Sequence, residues 1–94
     1  MKKSTGVQVG DHQLKGEIAA LIRKMIAANG LSQTAAGKRI GVKQQEISLI
    51  LRGQLDGFSV ERLLSYARAF GADVEIKLKP RRDSEAGQMT LRIG

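Results

Sequence analysis

The sequence predicts a mainly α fold of four to five helices, followed by a short C-terminal β-strand or hairpin that pairs across a dimer. Three observations predict it. Apolar residues recur at helical spacing from Leu14 onward, cap and turn residues interrupt that pattern at intervals, and the period changes to two after Gly71. The 94 residues suit one small domain. We divide it into a flexible leader over 1–13, a helical domain over 14–72, and a dimerisation strand with its tail over 73–94.

The leader, MKKSTGVQVGDHQ, is polar and without periodicity, and its two lysines have no hydrophobic run behind them, so it does not read as a secretory signal. From Leu14, the residues Leu14, Ile18, Leu21, Ile22 and Met25 lie on one face of an amphipathic helix, which ends at Asn29 and Gly30. That spacing makes them core residues, with Arg23 and Lys24 on the solvated side.

Ser32 is placed to cap a second helix, and Ala36, Ile40, Val42, Ile47 and Ile50 keep one side of two consecutive short helices on a shared core. Gly41 forms the corner, because glycine tolerates the left-handed backbone that lets a chain change direction within a few residues. The helix after the corner runs from about Gln44 to Leu51, with Arg52 near its C-terminal dipole and Gly53 as its stop. Lys43, Gln44, Gln45, Glu46, Ser48 and Leu49 are left facing outward.

Gln54 to Phe58 read as a loop, and Ser59 caps a fourth helix with Glu61 in its first turn. Phe58 and Leu63 are spaced as a hydrophobic staple. Val60, Leu63, Leu64, Ala67 and Phe70 form its buried stripe, and Tyr66 packs at its edge. From Asp73 to Lys79, Val74, Ile76 and Leu78 alternate with Asp73, Glu75, Lys77 and Lys79, the pattern of a half-buried strand. A lone strand leaves its edges unpaired, so pairing with the same strand of a second subunit is expected. Residues 88–93, QMTLRI, are a possible second strand folding back into a hairpin.

Composition narrows the function. Sixteen lysines and arginines against nine aspartates and glutamates give a net charge of +7, which favours an anionic partner. No apolar run approaches the ~20 residues needed to span a bilayer, so a membrane role is not expected and the protein is placed in the cytoplasm. The single histidine, His12, has no matching triad, and the eleven glycines build no phosphate-cradling loop. Neither an enzyme nor a metal or other cofactor is expected. Three aromatic residues are too few for a single-strand stacking platform. What remains is duplex DNA: glutamines such as Gln44 and Gln45 serve a core poorly, yet a glutamine can pair bidentately with adenine in the major groove.

Gln33, Ala36, Ile40, Gly41, Val42, Gln44, Gln45, Ile47 and Ile50 resemble the helix-turn-helix of the Xre/Cro repressor family. The segment LRGQLDGFSVERLLSYARAFGADVEIKLKP extends the likeness toward HigA-like antitoxins, in which a fourth helix precedes a short strand. The resemblance covers about residues 14 to 80 and implies an Xre/Cro-like bundle. It further implies a repressor of its own operon that also binds a toxin; a stand-alone or phage-type repressor is the alternative. Two positions depart from the family pattern. Gly37 stands where alanine is usual, at a cost of about 1 kcal/mol in helix propensity. Lys43 stands where a capping serine or threonine is common, so one amide loses its partner.

The expected contacts follow. Lys43, Gln44, Gln45 and Ser48 face base edges, with Lys43 reading a base or holding a phosphate. Gln33, Lys38, Arg39 and Arg52 grip the DNA backbone, and Val74, Ile76 and Leu78 join two subunits on an inverted-repeat operator.

Overall fold

A computed structural model describes residues 6–8, 10–80, 82–83 and 86–92. In chain order its elements are β1 (Gly6–Gln8), α1 (Asp11–Ala28), α2 (Gln33–Ile40), α3 (Gln44–Leu51), α4 (Val60–Ala69) and β2 (Thr90–Arg92). Four helices therefore form the body, with α1 packed on α4, α2 on α3, and α3 also touching α1.

The core sits where these pairs meet. Ile22 of α1, Ile47 and Ile50 of α3 and Leu63 of α4 are fully buried, each contributing about 1.5–3 kcal/mol by leaving water. Ala19, Ala36 and Ala67 are buried with them and let the helices approach closely. No polar or charged residue is buried among the described residues. Ile26 and Leu55 also enter this core, although the sequence reading did not assign them to it. Leu55 anchors the loop between α3 and α4, whose second anchor is Phe58. Phe58 and Leu63, the two residues of the expected staple, are both buried in that cluster.

The expected caps form. Ser32 Oγ accepts from the Ala35 amide at 3.1 Å, and Ser59 Oγ accepts from the Arg62 amide at 3.0 Å. Gly41 has φ 78° and ends α2 in the left-handed conformation. Lys43 occupies the N-cap position of α3 and makes no side-chain capping bond.

Three expectations need correction. The leader does not extend to residue 13, because α1 begins at Asp11, with the Leu14 amide bonded to the Gly10 carbonyl at 2.9 Å. The apolar stripe starts at Leu14, but its first turn is polar and invisible to hydrophobic periodicity. Second, residues 73–79 form no strand: Val74, Ile76 and Leu78 are 37%, 71% and 93% exposed. Alternation suits a pleated surface, but a strand needs a hydrogen-bonding partner, and none of the described residues pairs with this segment. Third, the C-terminal strand β2 does not fold back on residues 73–79. It pairs antiparallel with β1, in the register Gly6 to Arg92, Val7 to Leu91 and Gln8 to Thr90. The leader thus supplies the partner strand.

Candidate nucleic-acid interface

Helices α2 and α3 meet at a corner built around Gly37 and Gly41. The Gly37 carbonyl accepts from the amides of Gly41 and Val42, the latter at 2.8 Å. A Cβ on Gly37 would lie 2.6 Å from the Val42 carbonyl oxygen. The missing side chain, seen in the sequence only as a departure from alanine, is what lets the turn close against the helix.

Beyond this corner, α3 buries Ile47 and Ile50 and leaves Lys43, Gln44 and Gln45 exposed, while Ser48 is half-buried. Leu49, expected to face outward, is half-buried against the core. Lys38 and Arg39 are exposed in the last turn of α2, and Arg52 is exposed at the C-cap of α3. The basic side chains therefore flank the glutamines in sequence at the ends of both helices.

The structure joins two of the candidate residues directly. Gln44 Nε2 donates to Oε1 of Gln33, linking the first residue of α3 to the first residue of α2. Gln44 keeps its own Oε1 and a second amide hydrogen, which together match the N6 donor and N7 acceptor of adenine. Gln33 keeps its amide hydrogens, the donors a phosphate oxygen accepts.

Arg62 was absent from the sequence reading, and it ties α4 to α3. Its guanidinium pairs with the Glu46 carboxylate, donates to Tyr66 Oη at 2.7 Å, and lies 4.9 Å from the Phe58 ring centroid. The Tyr66 hydrogen bond, opposed by desolvation and aided by the Glu46 charge, raises the Arg62 pKa above its ordinary value. Glu46 is thus drawn away from solvent, and the uncapped first turn of α3 is held from α4. The spacing Phe58, Arg62, Tyr66, four residues apart from just before the N-cap of α4 into its second turn, was the available signal. Arg23, read as a solvated charge, donates to the Leu51 carbonyl at 3.3 Å and satisfies the C-terminal end of α3 from α1.

Other chemistry finds little support in these residues. His12 lines an open depression with Leu49, Gln54, Leu55 and Asp56, which contains no hydroxyl or thiol nucleophile. No group of three or more potential metal ligands occurs among the described residues. No helix among them is long and apolar enough to cross a membrane.

Comparison with known proteins agrees with this geometry. Residues 7–79 match the model of a family described as a helix-turn-helix domain. A solved structure described as an XRE family transcriptional regulator is 36% identical, with a TM-score of 0.74 over 82% of this chain and 86% of that one. No curated protein matches the chain significantly. A paired corner of α2 and α3, a family match across most of the chain and a regulator of the same fold lead to one assignment: the chain belongs to the XRE-type helix-turn-helix family of DNA-binding transcriptional regulators.

Proposed function

We propose that the protein is a sequence-specific repressor that binds an inverted-repeat operator as a homodimer. The observation that carries this reading is the Gln33–Gln44 link, which orients an exposed amide at the start of α3 while leaving it a free donor and acceptor. In this reading Lys43, Gln44, Gln45 and Ser48 face base edges, and Gln33, Lys38, Arg39 and Arg52 hold phosphates. The net charge of +7 supplies steering toward the duplex. The protein acts in the cytoplasm by binding rather than by catalysis.

Val74, Ile76 and Leu78 join two subunits, so that two copies of α3 address half-sites about one helical turn, or a multiple of it, apart. The likeness of residues 51–80 to HigA-like antitoxins supports a second role, neutralising a toxin encoded beside the gene while repressing their shared operon. A footprint on the DNA upstream of the gene, at near-physiological salt, tests the repressor reading. Two protected half-sites related by a two-fold are expected; uniform protection of unrelated duplex would defeat it. Co-expression with the product of the adjacent reading frame tests the antitoxin role: a stable complex supports it, and separate elution of the two proteins supports a stand-alone repressor.

A further inference from the structure

Residues 73–80 are all exposed and lie in no helix or strand, yet their alternation is strict. On one side stand Val74, Ile76 and Leu78, and on the other Asp73, Glu75, Lys77 and Lys79. Lys77 Nζ approaches Glu75 Oε2 at 3.9 Å, as expected of residues sharing a face, but both side chains are about 80% exposed and the contact is weak. The charges are ordered along the segment, acidic first and basic last.

We propose that this segment pairs with the same segment of a second copy as an antiparallel ribbon whose two-fold axis passes through Ile76. The proposal rests on the homodimer reading above and specifies its register. In that register Asp73 opposes Lys79 of the other copy and Glu75 opposes its Lys77, so that all four charges on each strand meet an opposite charge. Val74 opposes Leu78 and Ile76 opposes itself, so that apolar residues meet only apolar residues. Directly opposed residues share a face and interact most strongly, like charges being destabilising.

The alternatives fail on the same count. A parallel ribbon with two-fold symmetry sets each charge beside its own copy. Moving the axis to Glu75 or to Lys77 places two like charges directly opposite at the centre. An axis between residues opposes charged side chains to apolar ones on both faces. The exposure of Ile76 and Leu78 in the single chain is explained if a second copy, rather than another part of this chain, completes the strand.

Cysteine cross-linking of the full chain reads the register directly, because the sequence contains no cysteine. Opposed residues lie about 4.5–5.5 Å apart between Cα atoms, within reach of a disulfide. Ile76→Cys should form a disulfide-linked dimer under mild oxidation. Val74→Cys and Leu78→Cys should each stay unlinked alone and cross-link when mixed. Self-linking of all three variants would show a parallel ribbon, and linking of Val74→Cys to Ile76→Cys a shifted one; either overturns the register. Charge reversal gives a second readout: Glu75→Lys or Lys77→Glu alone should raise the dimer Kd roughly tenfold. The double exchange should restore it, and a double variant no better than the singles would refute the pairing. Light scattering of the wild-type chain separates the two levels. A dimer that shows none of these cross-links defeats the register alone, whereas a monomer that still protects a single half-site defeats the homodimer as well.

Discussion

Replacing Gly37 by alanine sets two effects of known size against each other. Alanine favours a helix interior by about 1 kcal/mol over glycine, so on propensity alone the substitution should stabilise α2. The structure opposes this, because the new Cβ would sit 2.6 Å from the Val42 carbonyl oxygen, where ordinary contact begins at 3.4 Å. The obstacle is backbone, not the end of a flexible side chain, so α2 and the turn must part by about 0.8 Å. Overpacking of this kind costs about 1–3 kcal/mol, and the 2.8 Å bond from the Val42 amide to the Gly37 carbonyl is weakened, at about 1 kcal/mol more. The net expectation is a loss of about 1–3 kcal/mol, read as a fall of roughly 4–24 °C in Tm for a domain of this size. Gly16 of α1 is the internal control, since a Cβ there meets nothing within 4 Å. Gly16→Ala should raise stability by about 1 kcal/mol. Thermal unfolding followed by circular dichroism measures both. If Gly37→Ala were as stabilising as Gly16→Ala, with operator binding unchanged, the reasoning about the corner would be refuted.

Other substitutions probe other links. Ser59→Ala removes the acceptor for the Arg62 amide and should cost about 1 kcal/mol in urea unfolding. Lys43→Ser should add a cap to α3 and stabilise it by about 1 kcal/mol. If Lys43 holds a phosphate, the same change lowers the slope of log K against log salt by about 0.9 per half-site; if it reads a base, preference at one operator position changes instead. Gln33→Ala should weaken binding to every duplex through loss of its phosphate contact and, in addition, reduce discrimination at the base facing Gln44 by about 1 kcal/mol, visible as a flattened preference at that position in competition binding. A uniform loss with the preference at that position unchanged would show that the Gln33–Gln44 bond orients nothing.

Local signals made much of this fold legible. Ser32 and Ser59 could be named as caps because a cap is defined within three residues, and Gly41 as the corner because few residues tolerate its φ of 78°. The span Gln44–Leu51 agrees with its apolar pattern. What escaped depends on partners distant in sequence. Glu46 and Arg62 are separated by sixteen positions, and either alone reads as a surface charge. Leu55 looks like a loop residue until the packing of α3 and α4 encloses it. The pairing of Gly6–Gln8 with Thr90–Arg92 joins the two ends of the described chain, a contact that neither short segment announces. Residues 73–79 are the instructive case: their alternation is plain, but alternation states which faces differ and not who supplies the neighbouring strand.

In the proposed function α3 reads sequence through its first turn. Its most direct test is the ratio of affinities for the DNA upstream of the gene and for a random duplex, measured at near-physiological salt for the wild-type chain and for Gln44→Ala/Gln45→Ala. The ratio should collapse toward one in the variant while binding to random duplex, carried by the basic residues, persists, if α3 reads sequence in this way. An unchanged ratio would contradict it.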